Sequence, residues 1–266
     1  SGVWEVEADA LGNVYVIGGG TPMQLVKYNS AGVFQWIYNT PYDTNNGDWL
    51  GALATDNAGN SYVTRGSSAA ITKVSTTGAV TYSVNGGAFD EYWQISFNCD
   101  QTKLLVGGTR LPLFPTGSFK SAMIFDINPA NGSVISSVYV GWSQQAGIIN
   151  NPDEVRSITS SFNAKYYFLT LDSIAAIDQM LGSSCPNPLA TGISSTYNFS
   201  YKCEDFRPNN GNGPMSAIVA DANFVYTQNG NTVHKRDLNT YGILATAAIP
   251  GGISTGPAPF TGGYQA

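Results

Sequence analysis

The sequence predicts an all-β chain of repeated four-stranded antiparallel units, and three observations predict it. Charged residues make up 11% of the 266 positions, while Gly contributes 30 and Pro 13; that charge content is about half the usual share. Aromatic residues reach 12% and fall in short stretches bounded by Gly, Asn and Asp, the pattern of half-buried strands joined by tight turns. The third observation is self-similarity, because one short pattern returns five times along the chain.

Each repeat opens with a short apolar strand, an Asp/Asn/Gly turn and a Tyr/Val-rich strand. The five copies are Val3–Gly18, Leu50–Thr64, Tyr92–Gly107, Val155–Leu169 and Met215–Thr227. A second hairpin follows, clear at Gln24–Val33, Ile71–Val80, Ala122–Val134 and Thr232–Leu244, and blurred in the fourth copy around Ile174–Gly182. Gly12, Gly32, Gly59, Gly78 and Gly132 stand where tight turns demand positive φ. The first turns, measured at Gly12, Gly59, Thr102, Ala164 and Ala222, lie 47, 43, 62 and 58 residues apart. The longer steps carry insertions at Leu111–Ser118 and Cys185–Pro214. Four antiparallel strands repeated at this spacing describe β-propeller blades. A lone blade cannot bury both of its faces, so neighbours must stack.

The expected organisation is therefore one β-propeller domain over 1–266, with blades near 1–47, 48–89, 90–152, 153–203 and 204–250. Residues 251–266 read as a tail or as the start of a further blade. A complete five-bladed ring and an arc whose ring is completed by further sequence both fit, and the second is the expectation, since propellers reach eight blades.

Phe89-Asp90-Glu91-Tyr92-Trp93-Gln94-Ile95 followed by Val106-Gly107-Gly108-Thr109 resembles the bacterial β-propeller repeat family. That repeat has an acidic pair, an inner strand, an Asp-x-x-Gly-Asn turn and then Tyr-Val-x-Gly. Asp56-Asn57-Ala58-Gly59-Asn60-Ser61-Tyr62-Val63 and Gly12-Asn13-Val14-Tyr15-Val16-Ile17-Gly18 match it best, whereas Asn163-Ala164-Lys165 and Ala222-Asn223 replace the Gly-Asn turn in the last two blades. The resemblance implies large secreted or cell-surface proteins of the Bacteroidota, including cargo of the type nine (type IX) secretion pathway and gliding motility proteins. It implies an extracellular or cell-surface location and no particular chemistry.

Composition excludes several classes. A net charge of −6 with 12 scattered basic residues argues against nucleic acid, which needs clustered Lys and Arg. No apolar run approaches the roughly 20 residues of a membrane-spanning helix. The chain opens on the strand pattern Val3-Trp4-Glu5-Val6, as a mature or trimmed protein would. Cys185 and Cys203 bracket a Pro/Ser/Asn-rich stretch and suit a disulfide in an oxidising compartment, leaving Cys99 as a buried thiol; three reduced thiols are the alternative. No cysteine pair has zinc-ligand spacing.

Acidic residues recur just before the inner strands: Asp48 with Trp49, Asp90-Glu91 with Trp93, Asp153-Glu154, and Glu204-Asp205 with Phe206. Equivalent positions of successive blades ring one mouth of the axial channel. They are the candidate ligand-binding residues, for a cation, a basic segment or a sugar, with the Trp rings as stacking surfaces. No cofactor is called for, although Ca²⁺ would suit the carboxylates if six to eight oxygens converged. The structural alternative is that these carboxylates fix the loops by accepting backbone N–H bonds, and recurrence in every blade favours it. His234, the only histidine, reads as a satisfied strand residue, and no Ser-His-Asp arrangement appears. Gly18-Gly19-Gly20 and Gly86-Gly87 open no helix and read as turns. The insertions Pro112–Ser118 and Pro186–Pro214 are candidates for protein or glycan contact. Asn131-Gly132-Ser133 and Asn198-Phe199-Ser200 are glycosylation sequons, and Asp172-Ser173-Ile174 resembles the Bacteroidota O-glycosylation motif.

The expected function is a non-catalytic binding or display module, serving adhesion or protein binding through a propeller face or the insertion loops. A carbohydrate-active hydrolase or lyase with carboxylates at the axial mouth is the second reading. A structural subunit or cargo of a secretion, motility or outer-membrane assembly, as part of a larger chain, is the third.

Overall fold

The computed structural model describes residues 2–19, 22–41, 50–66, 69–87, 90–98, 100–110, 121–139, 155, 157–160, 165–170, 173–178, 199–203, 217–229 and 231–250. They form five four-stranded antiparallel sheets, the blades of a β-propeller. Blade 1 holds β1 (Gly2–Ala8), β2 (Val14–Gly19), β3 (Met23–Tyr28) and β4 (Phe34–Asn39); blade 2 holds β5 (Leu50–Thr55), β6 (Ser61–Arg65), β7 (Ala70–Val74) and β8 (Val80–Asn85). Blade 3 holds β9 (Asp90–Phe97), β10 (Leu104–Arg110), β11 (Ser121–Ile127) and β12 (Val134–Tyr139). Blade 4 holds β13 (Ser157–Ser160), β14 (Lys165–Leu169), β15 (Ser173–Asp178) and β16 (Phe199–Cys203), and blade 5 holds β17 (Ala217–Ala220), β18 (Phe224–Asn229), β19 (Thr232–Asp237) and β20 (Ile243–Ala248). Within each sheet the strands pair in chain order, so every connection inside a blade is a hairpin.

The turn chemistry explains why the repeat folds as it does. Gly12, Gly32, Gly59, Gly78 and Gly132 all have φ between 74° and 87°, a region that side-chain-bearing residues avoid. In the first turn of blade 1, Asp9 accepts the Leu11 and Asn13 N–H groups, the Asn13 carboxamide and the Tyr15 hydroxyl. Asp56 takes Asn60 and Tyr62 in the same way, and Asp221 takes Asn223, Phe224 and Tyr226. The Asp, Asn and Tyr of the repeat thus form one closed network at the hairpin end.

Among the described residues, four hydrophobic clusters hold the blades together. Tyr15, Ile17, Met23 and Leu25 of blade 1 pack on Leu53, Val63 and Val74 of blade 2. Tyr62, Ala54 and Ile71 join Ile95, Val106 and Phe125 between blades 2 and 3. Leu105, Ala122 and Ile124 meet Ile158, Tyr166 and Phe168 between blades 3 and 4. Tyr167, Leu169 and Ile174 meet Ile218, Val225 and Tyr241 between blades 4 and 5. Each such Leu, Ile, Val or Phe contributes roughly 1.5–3 kcal/mol on burial.

Several side-chain hydrogen bonds cross the same junctions from one blade to a turn carbonyl of the next. Tyr15 donates to the Gly59 carbonyl at 2.9 Å and Trp36 to that of Thr76 at 2.8 Å. Tyr82 and Lys73 donate to Pro129 at 3.2 and 3.4 Å, and Tyr167 donates to Leu238 at 3.3 Å.

One reading of the sequence needs correction. Phe199–Cys203, taken as part of an insertion, is the outermost strand of blade 4 and pairs with Ser173–Ile177 of β15. The interruption falls between the two strands of a hairpin, so the hairpin leaves no local sequence signature. The other insertion, Leu111–Ser118, likewise falls within a blade, between β10 and β11.

Candidate functional site

The first strand of each blade is the one that packs on its neighbours' first strands: β1 on β5, β5 on β9, β9 on β13 and β13 on β17. These strands bring together polar residues that the sequence leaves far apart. Strand register places Glu5, Ala52 and Gln94 at equivalent positions of blades 1, 2 and 3. Ala52 has nothing beyond Cβ, which leaves room for Glu5 to reach past it. One carboxylate oxygen of Glu5 accepts the Leu53 N–H at 2.7 Å and the other accepts the Gln94 carboxamide at 3.1 Å. Burial of this carboxyl, with the nearby Glu7 charge, pushes its pKa up to about 8 against the bonds from Leu53 and Gln94. Glu7 is also raised, again chiefly by burial.

Glu7 lines a polar cleft of about 270 Å³ with Thr55, Ser96, Phe97, Asn98 and Gln101. The cleft crosses three blades and is walled by side chains able to donate and accept hydrogen bonds. Gln101, at a positive φ of 58°, accepts the Asn57 N–H at 2.8 Å and ties the turn of blade 3 to that of blade 2.

Among the residues singled out from sequence, Asp90, Glu91 and Trp93 sit at the opposite end of β9. Asp90 is buried and takes a bidentate pair from Arg110 at 2.6 and 3.0 Å, the strong geometry for such pairs. Glu91 accepts the Trp93 indole N–H at 3.1 Å and the Thr109 hydroxyl at 2.6 Å. The Trp93 ring is buried over Gly66, so it is packing and not an exposed stacking surface. Asp48, Trp49, Asp153, Glu154, Glu204, Asp205, Cys185 and Cys99 lie outside the described residues, as does the side chain of Cys203. So do Asn198, Asp172 and the whole of 111–120.

His234 on β19 shares a hydrogen bond with Thr246 at 3.1 Å and pairs across the strand with Thr227. Asn131 is exposed in the second turn of blade 3, where its carbonyl oxygen accepts the Ser133 N–H and hydroxyl. Among the described residues no group of three or more His, Cys, Asp or Glu is placed to hold a metal ion. No helix among them is long and apolar enough to cross a membrane.

Sequence reasoning missed Glu5 and Glu7. The one available signal was two carboxylates at alternate positions of an apolar strand, and no other blade repeats it.

No family model and no curated protein matches the chain. Solved structures do match. A protein of unknown function from Bacteroides caccae superposes with a TM-score of 0.58 at 13% identity, over 89% of this chain and 72% of that one. BamB from Moraxella catarrhalis superposes with a TM-score of 0.49 at 13% identity, over 92% of this chain and 76% of that one. At such identity the likeness to the Bacteroides protein is one of fold.

Proposed function

We propose that this propeller is a non-catalytic binding or display module of a secreted or cell-surface bacterial protein, engaging protein or glycan. The observation that carries the reading is that Asp90, Glu91 and Glu5 are already committed within the fold. Asp90 is taken by Arg110, Glu91 by Trp93 and Thr109, and both oxygens of Glu5 by Leu53 and Gln94. A general acid or nucleophile needs a free oxygen facing substrate. The polar cleft beside Glu7 and Gln101 is the surface we assign to the ligand, because its Thr, Ser, Asn, Gln and Glu side chains suit the hydroxyls of a sugar or the backbone of a peptide loop. The resemblance to bacterial repeat proteins supports the surface location.

A glycan array and a panel of soluble polysaccharides, probed with the whole chain, test this reading. Binding without turnover is expected, weakened by Glu7→Ala and Gln101→Ala and unchanged by Arg110→Lys. Polysaccharide cleavage abolished by Glu7→Gln would replace the module with an enzyme. Protease accessibility on intact producing cells tests the location, and full protection would sink it.

A further inference from the structure

Among the described residues that line the polar cleft of about 270 Å³, Glu7 alone is ionisable, and it is an acid. Burial raises its pKa, and a hydrogen bond from the Ala8 N–H opposes that rise. Neither ion pair of the described residues includes it. Glu5, two positions earlier on the same side of β1, adds a second carboxyl whose ionisation the Glu7 charge disfavours. Lys27, Lys73 and Lys103 are engaged elsewhere, over the Tyr15 ring at 5.0 Å, with the Pro129 carbonyl and with Asp126. The cleft therefore holds a carboxyl with no cation to meet it.

The remaining walls are neutral, and register explains the space between them. Glu7, Ala54 and Ser96 occupy equivalent positions of blades 1, 2 and 3, opposite Tyr15, Tyr62 and Leu105. Ala54 has nothing beyond Cβ, so the space from Glu7 across to blade 3 stays open. Phe97 bounds it as an apolar wall, held edge-to-face by Tyr62 at 5.2 Å. The Thr55 and Ser96 hydroxyls donate to main-chain carbonyls over 3.4 and 3.3 Å, long bonds that leave their lone pairs as acceptors. The Gln101 side-chain oxygen is fixed by the Asn57 N–H at 2.8 Å, which orients its carboxamide and leaves the nitrogen to donate.

We propose that this cleft takes a sugar bearing a free primary amine, with Glu7 as the counter-ion of the ammonium group. The proposal rests on the reading that the cleft is the ligand site, and adds the charge of the ligand to it. An ammonium supplies the partner that Glu7 lacks, in a charge-assisted bond. The ring hydroxyls meet Thr55, Ser96 and Gln101, and the C–H face of the ring lies against Phe97. A lysine side chain carries the same ammonium on a four-carbon stem that favours apolar walls, whereas Thr55, Ser96, Asn98 and Gln101 are polar. The hydroxyl-bearing carrier is the better match.

Calorimetric titration of the whole chain, in dilute buffer near neutral pH, compares β-1,4-linked tetramers of glucosamine, N-acetylglucosamine and glucose. The glucosamine tetramer binds most tightly, and the other two bind about tenfold more weakly, the margin of a charge-assisted over a neutral bond. Glu7→Gln keeps the shape of the side chain and removes its charge, so it erases that margin and leaves the two neutral tetramers nearly unchanged. The wild-type comparison alone decides the proposal should the variant fail to fold. Equal binding of all three tetramers, weakened by Gln101→Ala, overturns the amine and keeps the cleft as the ligand site. Glucosamine binding indifferent to both Glu7→Gln and Gln101→Ala overturns the amine proposal and the cleft reading together. If no tetramer binds, the amine proposal falls while the glycan array still decides the cleft. A tetralysine peptide that binds as tightly as the glucosamine tetramer, with the same dependence on Glu7, overturns the sugar and gives the site to a protein amine.

Discussion

The Glu5 carboxylate and the Gln94 carboxamide, 89 residues apart in sequence, meet at 3.1 Å. With the Leu53 N–H on the other oxygen, this single side chain links the first strands of three successive blades. The link holds a titratable group in a place where its ionised form is poorly solvated, so blade cohesion and pH become coupled.

The sign of that coupling follows from where the proton sits. The unfolded chain releases the Glu5 proton near 4.5, whereas the folded chain holds it to about 8. Between those values the folded state binds more protons, so unfolding free energy falls as pH rises. Glu7 is raised by the same cause and adds to the trend. On the acid side Asp9 works in reverse. Burial pushes it up, but the bonds from Asn13, Tyr15 and Leu11 outweigh burial and hold it low, so its contribution is lost as pH drops below the carboxylate range. Thermal unfolding across pH should show greatest stability near about pH 5 and a decline of a few kcal/mol toward pH 8. Glu5→Gln should flatten most of that decline; an unchanged slope in the variant would refute the role given to Glu5.

Tyr15 and Tyr226 occupy the same place in the repeat and offer an internal comparison. Both donate to a turn aspartate, at 2.9 and 3.0 Å, but only Tyr15 also donates to the next blade, at Gly59. Tyr15→Phe leaves a buried carbonyl unsatisfied and should destabilise the fold by about 1–3 kcal/mol. Tyr226→Phe should cost distinctly less. Chemical denaturation of the two variants reads the difference, and equal losses would mean the cross-blade bond contributes nothing.

The parts of the fold legible in sequence are those where one backbone demand admits few residues. All five glycines expected at turns have positive φ, and the repeat read from those turns is the blade. The Asp of the first turn in blades 1, 2 and 5 was legible as a turn former, but its bond to a Tyr hydroxyl several residues later was not, because that contact closes only after the hairpin forms. Glu5 was invisible as a site because its environment is built by Leu53 and Gln94 from other blades. Strand β16 was missed because its partner lies beyond an insertion, and pairing across a long gap leaves no periodic trace. Cys185, Asp48, Asp153, Glu154, Glu204 and Asp205 fall outside the described residues, so their roles rest on sequence alone.

Blade 3 breaks the pattern of its neighbours with a buried ion pair. Asp126 stands at the register position of Lys27 and Lys73 and is met by Lys103 at 3.2 Å, both nearly without solvent contact. Burial raises the Asp126 pKa, opposed by Lys103 and Ser136. Lys103→Met should therefore destabilise by about 3–5 kcal/mol, since it strands a buried carboxyl. Adding Asp126→Leu should restore most of the loss. Denaturation midpoints of the single and double variants decide it; additive losses would show that the pair is not a unit.

Two glycines test how tightly the blades approach. A Cβ on Gly66 would lie 1.7 Å from the Trp93 ring, and one on Gly108 would lie 1.9 Å from the Glu91 carbonyl oxygen. Neither distance is tolerable, but the obstacles differ. Trp93 is a side chain that can swing, at the expense of its bond to Glu91. The Glu91 carbonyl belongs to a strand whose register shifts at Gly107/Gly108, and moving it disturbs the β9–β10 pairing itself. Gly108→Ala should therefore destabilise more than Gly66→Ala, with both beyond the roughly 1 kcal/mol of an ordinary substitution. Trp93 fluorescence distinguishes the mechanisms: Gly66→Ala should shift its emission to the red in the folded state, and Gly108→Ala should leave it nearly in place. A Gly66→Ala protein with native emission and native stability would mean the ring does not rest where the close approach puts it.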